Sequence, residues 1–256
     1  MLKYGCLNRI FNWKRDIGIA GNTSKTIVED EEKFWESHDE FDWLTYDSVA
    51  HVMAQCPQPK GRVLELCCGS GMFTRHINFR DVTEYVGLDI ADSLIKKLKV
   101  ELPHVTTVKG NAEAPDFRPE SFDFIFVFAG LHHLPRMQIC IENAFKLLKP
   151  GGTFCCFEPN LSCFGREYML KLKWIGQLVG VVYTDDEIFL SPDSLNSDLK
   201  KVDFKQINTT FLTPSYKYYS TQHLLIPLVG TMKIVSMLPV VPRKLTQTFF
   251  ISTTQK

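Results

Sequence analysis

Neither sign of charge is in excess in this chain, which sets 29 lysines and arginines against 29 acidic residues. No global field attracts a polyanion, so a nucleic-acid partner is not expected. No apolar run is both long and unbroken. The longest, His223 to Val241, carries Lys233 and is interrupted by Pro227 and Pro239. It makes a poor transmembrane helix but leaves room for peripheral contact with a membrane. The eight cysteines show no paired C-x-x-C spacing. Cys67-Cys68 and Cys155-Cys156 are neighbours on or beside expected strands, where successive side chains face opposite ways, so they should not bridge. A reduced, cytoplasmic setting is therefore expected. Met1 to Gly18 is mildly basic but has neither an apolar core nor a small-residue cleavage site, which argues against a signal peptide. No metal site is expected either: Asp185-Asp186-Glu187 reads as a solvated loop, because no further ligand sits at a helpful spacing. Repeats and low-complexity tracts are absent.

What is present is an alternation of apolar runs and helical patterns. Residues 1–56 read as an arm and a helical cap, with residues 1–28 mixed in character. Glu29 to Phe41 is acidic and then aromatic, and Leu44 to Cys56 has helical spacing that stops before Pro57. Residues 57–256 read as one domain. Strands are expected at Arg62–Leu66, Glu84–Asp89, Val105–Lys109, Phe122–Phe128 and Thr153–Phe157. A helix-like stretch, Met72 to Phe79, follows the first. Helices are expected over Asp92–Val100 and from Pro135 to Leu148. Lys149-Pro150-Gly151-Gly152 reads as a stop and turn. Beyond these, helical stretches near 163–178 and 192–202 precede strands at Phe204–Phe211 and Thr246–Ser252, with an apolar helical insertion near 212–245. Strand, helix, strand in this order predicts an α/β fold. It is a Rossmann-like, seven-stranded, mostly parallel sheet with helices on both faces, an N-terminal helical cap and a helical insertion before the last strand.

The stretch that carries chemistry is Val63-Leu64-Glu65-Leu66-Cys67-Cys68-Gly69-Ser70-Gly71, with Asp89 lying 18 residues after Gly71. Gly69 and Gly71 let the backbone take φ > 0 and approach a ligand. Asp89 ends the next apolar run, where doubly wound folds hold a ribose through an acidic side chain. A nucleoside-containing cofactor follows from this. A nicotinamide-dependent oxidoreductase is disfavoured, because the third glycine of G-x-G-x-x-G, counted from Gly69, is Thr74.

Six blocks occur in order: the Val63–Gly71 loop, Gly87-Leu88-Asp89, Gly110-Asn111-Ala112, Ser121-Phe122-Asp123-Phe124-Ile125, Leu131-His132-His133-Leu134 and Leu147-Leu148-Lys149-Pro150-Gly151-Gly152. With them the chain resembles the class I S-adenosylmethionine-dependent methyltransferases, in the small-molecule branch known as methyltransferase type 11. The resemblance covers about residues 60–160. It implies S-adenosylmethionine as cofactor and methyl transfer to a small-molecule acceptor. It places Glu65 near the amino-acid end of the cofactor and Asp89 on the ribose, with Leu88 and Ile90 around the adenine. Asn111 and Ala112 would lie at the adenine edge, and Phe128 with Ala129 below the methionine portion. Two positions depart from the family pattern. Cys67 stands where a first glycine is usual, and Asn111 where an aspartate is, its side-chain oxygen still able to reach an adenine amino group.

His133, and after it His132, are the catalytic candidates, since imidazole takes a hydroxyl proton near neutral pH. The competing reading has one ring cap the next helix. His38, Tyr46 and Glu158 are lesser candidates on the acceptor side. No Asn/Asp-Pro-Pro-aromatic motif follows strand four, which disfavours the amino-nitrogen methylases of nucleic acids. The apolar insertion, including Leu224, Leu225, Leu228, Met232, Val235 and Leu238, and the aromatic cap favour a hydrophobic acceptor. Oxygen is the first choice of target atom and carbon the second. The remaining alternative is a cofactor-binding protein with a non-methylating or partner role.

Overall fold

In the computed structural model the described residues are 46–163, 190–213, 243–246 and 249–256. The predicted arm, the Glu29–Phe41 helix, the helix near 163–178 and nearly all of the apolar insertion lie outside them. Helix α1, Tyr46–Gln55, leads to strand β1, Gly61–Leu66. Next come β2 (Val82–Asp89), α2 (Asp92–Glu101), β3 (Thr106–Lys109) and β4 (Phe122–Phe128). Then α3 (Met137–Leu147), β5 (Leu148–Pro159), α4 (Pro192–Lys201), β6 (Lys205–Leu212), the four-residue α5 (Arg243–Thr246) and β7 (Phe249–Gln255) complete the described chain.

The seven strands form one sheet in the order β3-β2-β1-β4-β5-β7-β6. β1 to β5 pair in parallel, and β7 runs antiparallel to both of its neighbours. The chain winds outward from β1 in both directions, and such a switch point leaves a crevice beyond the carboxyl ends of the central strands.

Strand alternation divides the core. Ile125 and Val127 of β4 face one side, with Leu64, Leu66, Cys140, Ile141, Leu195 and Leu199 of β1, α3 and α4. Phe124, Phe126 and Phe128 face the other, with Val49, Val52 and Leu98 of α1 and α2. Cys155 and Cys156 fall on opposite sides in the same way. Phe124, Phe126 and Phe128 form an aromatic ladder, with ring centroids 4.4 and 4.8 Å apart. Phe73 extends it at 4.6 Å from Phe128.

Two expectations need correction. Met72 to Phe79 is not a helix: it holds only the 3-10 turn Thr74–His76, and a second, Phe79–Asp81, begins at its end. Ile77 is extended at φ −69°, ψ 133°, and the side chain of Asn78 accepts the Arg80 N–H, starting the second turn. A short side-chain acceptor thus diverts the backbone from helical bonding. Lys149–Gly152 does follow the end of α3 at Leu147, as a stop should, but it is not a turn. These four residues bulge within β5 opposite Asp123, where the register passes from Phe122↔Leu148 to Phe124↔Thr153. Gly151, at φ +75°, donates its N–H to the Lys256 carbonyl, so the glycine pair makes the bulge instead of a turn.

Phe126 is fully buried in the ladder. Phe126→Ala should destabilise the domain by about 3–5 kcal/mol, seen as a lower denaturation midpoint at an unchanged m-value.

Candidate cofactor and acceptor site

After Leu66 the backbone turns through three residues in the left-handed region: Cys67 at φ +58°, Gly69 at +53° and Gly71 at +87°. The loop is tied to β2 by Cys68 N–H to the Leu88 carbonyl, 3.1 Å. Asp89 completes the tie. Its Oδ2 accepts from Gly69 N–H at 2.8 Å, and its Oδ1 from Ala91 N–H at 2.9 Å. Burial raises the Asp89 carboxyl above the usual range, opposed by these N–H groups and that of Ile90.

The loop opens on a cavity also lined by Glu65, Asp89, Ile90, Asn111, Ala112 and Phe128, so all but one of the cofactor residues expected from sequence come together. The exception is Gly71, which does not line it. A Cβ there would lie 2.5 Å from Leu98 Cδ1, so Gly71 is required by its φ and by packing against α2. Gly69 is different, since a Cβ there would meet nothing within 4 Å and would stand in the open cradle. Cys67, in the usual glycine position, packs against Gly130, whose own Cβ would come within 2.6 Å of Cys67 Cβ.

Glu65 is fully buried at the inner end of the cavity. Its Oε2 accepts from Thr74 Oγ1 at 2.5 Å and from Tyr85 Oη at 2.8 Å. Burial pushes its carboxyl up to about 7 against those two bonds. The side-chain oxygen of Asn111 accepts the Glu113 N–H at 2.8 Å, so it already closes its own turn. One lone pair of that oxygen remains for an adenine amino group.

The two histidines lie on the 3-10 turn Leu131–His133, at the carboxyl end of β4. Glu158, at the end of β5, is fully buried beneath it. Its Oε1 accepts from Gly130 and Leu131 N–H at 3.2 and 2.9 Å, and its Oε2 lies 2.7 Å from His132 Nδ1. Burial pushes the Glu158 carboxyl up to about 8, against backbone hydrogen bonds from the turn. His133 packs against His132 with ring centroids 4.0 Å apart and the ring planes tilted by 40°, and it faces the cavity. Burial, and then His132, drive its imidazole well below the usual value. Tyr46 is exposed at the start of α1 with its ring 4.3 Å from His76, away from this cavity. His38 and Asp185-Asp186-Glu187 lie outside the described residues.

Sequence reasoning missed Thr74 and Tyr85, which hold Glu65, and Glu113 with Arg136. Glu113 directly follows the Asn111-Ala112 pair, which was the available signal.

Residues 64–156 match the family model of the methyltransferase domain. They form a class I methyltransferase domain. The cofactor of this family is S-adenosylmethionine. The cradle fits it: the open space at Gly69, the Asp89 carboxylate and the apolar walls of Ile90 and Ala112 suit a ribose and an adenine. A demethylmenaquinone methyltransferase of Staphylococcus aureus is 28% identical over 141 residues, 52% of this chain and 58% of that protein. The chain thus matches little more than half the length of such relatives. Two solved structures share the fold. One is an S-adenosylmethionine-dependent methyltransferase of Thermotoga maritima, with TM-score 0.59 and 19% identity over 91% of this chain and 97% of that one. The other is a Haloferax volcanii putative methyltransferase in complex with the Trm112 activator, with TM-score 0.62 and 16% identity over 89% and 96%.

Asp89→Ala should weaken S-adenosylmethionine binding by about 1.5–3 kcal/mol, the scale of a charge-assisted hydrogen bond, as read by titration calorimetry. Gly69→Ala should lose binding with only a modest fall in the thermal midpoint, from its left-handed φ alone, whereas Gly71→Val should lose binding and far more stability, because its side chain also meets Leu98. An Asp89→Ala protein with parent affinity refutes the ribose assignment.

Glu65 and Glu158 are both raised from 4.5, to about 7 and about 8. The folded state holds these protons more tightly than the unfolded chain does, so their stabilisation is complete below 4.5 and fades as pH rises through 7 to 8. The thermal midpoint should therefore decline across that window, and less steeply in Glu65→Gln.

Proposed function

We propose that this protein transfers the methyl group of S-adenosylmethionine to a small, apolar ring acceptor bearing an ionisable hydroxyl. Oxygen is the target first, and a ring carbon made nucleophilic by the same hydroxyl second. The observation that carries the reading is the 2.7 Å contact of His132 Nδ1 with the buried Glu158 Oε2, on the turn whose neighbour His133 walls the cavity. A carboxylate on one imidazole nitrogen sets the tautomer and leaves the other as base. This favours His132 as the proton acceptor and reverses the order expected from sequence. His133, driven toward its neutral form by burial, shapes the cavity wall.

Asp89 and the Gly69 loop bind and orient the nucleoside. Glu65, Phe128 and Ala129 border the methionine portion. The bound cofactor supplies a methyl group already made electrophilic by its sulfonium. The protein's share is alignment and removal of the hydroxyl proton.

With Glu158 protonated, as burial favours up to about pH 8, its O–H donates to Nδ1 and the ring proton sits on Nε2. Once Glu158 loses its proton, Nδ1–H donates to the carboxylate and Nε2 is left to take a proton. A ring acceptor is supported by the relatives whose name is demethylmenaquinone methyltransferase. The apolar composition of residues 223–241 agrees. The ring-carbon reading rests on the same relatives, because hydroxyl ionisation activates either atom.

The test is transfer of labelled methyl from S-adenosylmethionine to reduced demethylated naphthoquinones and to substituted phenols. kcat should rise with pH through about 8. His132→Ala should lower it by about 10²–10⁴-fold with cofactor affinity retained, and Glu158→Gln should displace the pH limb. Parent kcat in His132→Ala overturns the base assignment.

A further inference from the structure

The turn that carries the two histidines is held at both ends by buried carboxylates. At its start Glu158 takes the N–H groups of Gly130 and Leu131. At its end Glu113 Oε1 takes the N–H of Arg136, the residue that caps α3. Glu113 does more. Its Oε2 accepts from Arg136 Nε at 3.0 Å and Nη2 at 2.9 Å, a two-nitrogen clamp on one carboxylate. Its N–H donates to the Asn111 side chain at 2.8 Å, and its carbonyl accepts from Asn143 Nδ2 at 2.9 Å. Every hydrogen-bonding group of this one residue is therefore engaged, and its side chain is 1% exposed.

The ties join two walls of the same cavity. Asn111 and Ala112 stand on the β3 side; Gly130, His133, Leu134 and Pro135 stand on the β4 side. A surface ion pair has no reason to be sunk between two cavity walls, because burying a carboxylate is unfavourable unless its partners are fixed. Arg136 is half-exposed, so the guanidinium reaches inward from the surface to meet it.

Resting on the methyltransferase reading above, we propose that Glu113, acting through Arg136, is a positioning residue that couples the adenine-side wall to the histidine turn, so that cofactor binding sets the orientation of His132. Neither residue touches the reacting atoms. The cofactor braces the Asn111–Glu113 turn, Glu113 holds Arg136 N–H, and the five-residue span back to Leu131 has one arrangement left.

The test reads His132 directly and requires no acceptor. Protein with 15N-labelled histidine is titrated with pH, with and without S-adenosylhomocysteine. In the parent, the cofactor product should shift the His132 ring resonances and their titration. In Arg136→Gln and Glu113→Gln that response should fall by at least half, while S-adenosylhomocysteine still binds within tenfold of parent. Arg136→Lys, which keeps the charge but not the two-nitrogen clamp, should restore part of it. It also replaces any variant that does not fold. With an acceptor in hand, Arg136→Gln should lower kcat by tenfold or more at a nearly constant KM. A folded Arg136→Gln and Glu113→Gln with a parent-like His132 response overturn the proposal, and a parent without any response does so as well. If no acceptor is methylated, the proposed function fails, and the spectrum alone decides the brace.

Discussion

Asp89 takes both of its short hydrogen bonds from backbone N–H groups that the sheet leaves unpaired, and the rest of the site depends on this. A parallel sheet ends in loops, and loops carry N–H groups without ladder partners. A carboxylate buried among them satisfies them and is itself satisfied, which offsets part of its desolvation. The same solution recurs twice along this edge. Glu158 takes two N–H groups of the histidine turn, and Glu113 takes the N–H that opens α3. Three loops are thus pinned by three acids of three different strands or strand ends.

This arrangement explains the backbone around it. The chain must reverse from β1 within a few residues to bring Gly69 N–H onto Asp89, and it does so through a run of left-handed positions that includes Cys67. A non-glycine residue there is strained by roughly 1–2 kcal/mol. The side chain is retained in contact with Gly130, which has no Cβ to oppose it. The segment beyond is too short and too engaged for a helix, because Thr74 turns inward to Glu65 and Phe73 joins the aromatic ladder.

The division of labour in the proposed reaction follows the sheet. The β1–β2 side presents glycine backbone and one carboxylate, suited to a ribose. The β4–β5 side presents imidazoles over a carboxylate, suited to a proton. Methyl transfer from a sulfonium asks for little beyond alignment and deprotonation, so such a division suffices. Residues bridging the two sides, Glu113 above all, then become the means by which one side informs the other.

The order of strands and helices, the glycine loop and the acid after β2 were legible in the sequence, because each is written in residues close along the chain: a strand's apolar run, a glycine's freedom, a helix's spacing. β4 was placed to the residue, since its six apolar or aromatic positions, interrupted only by Asp123, run up to Ala129-Gly130. What escaped was everything set by distant partners. His132 meets Glu158, 26 residues on, while His133 faces the cavity. Gly71 differs from Gly69 chiefly through Leu98, on another element. The helix expected after the loop gave way to contacts with Glu65 and Phe128, and Lys149–Gly152 became a bulge because Lys256 reached it from the last strand. Local chemistry determined which residues stand at the carboxyl edge of the sheet. Tertiary structure decided which of them meet, because hydrogen-bond partners at that edge come from loops far apart in sequence.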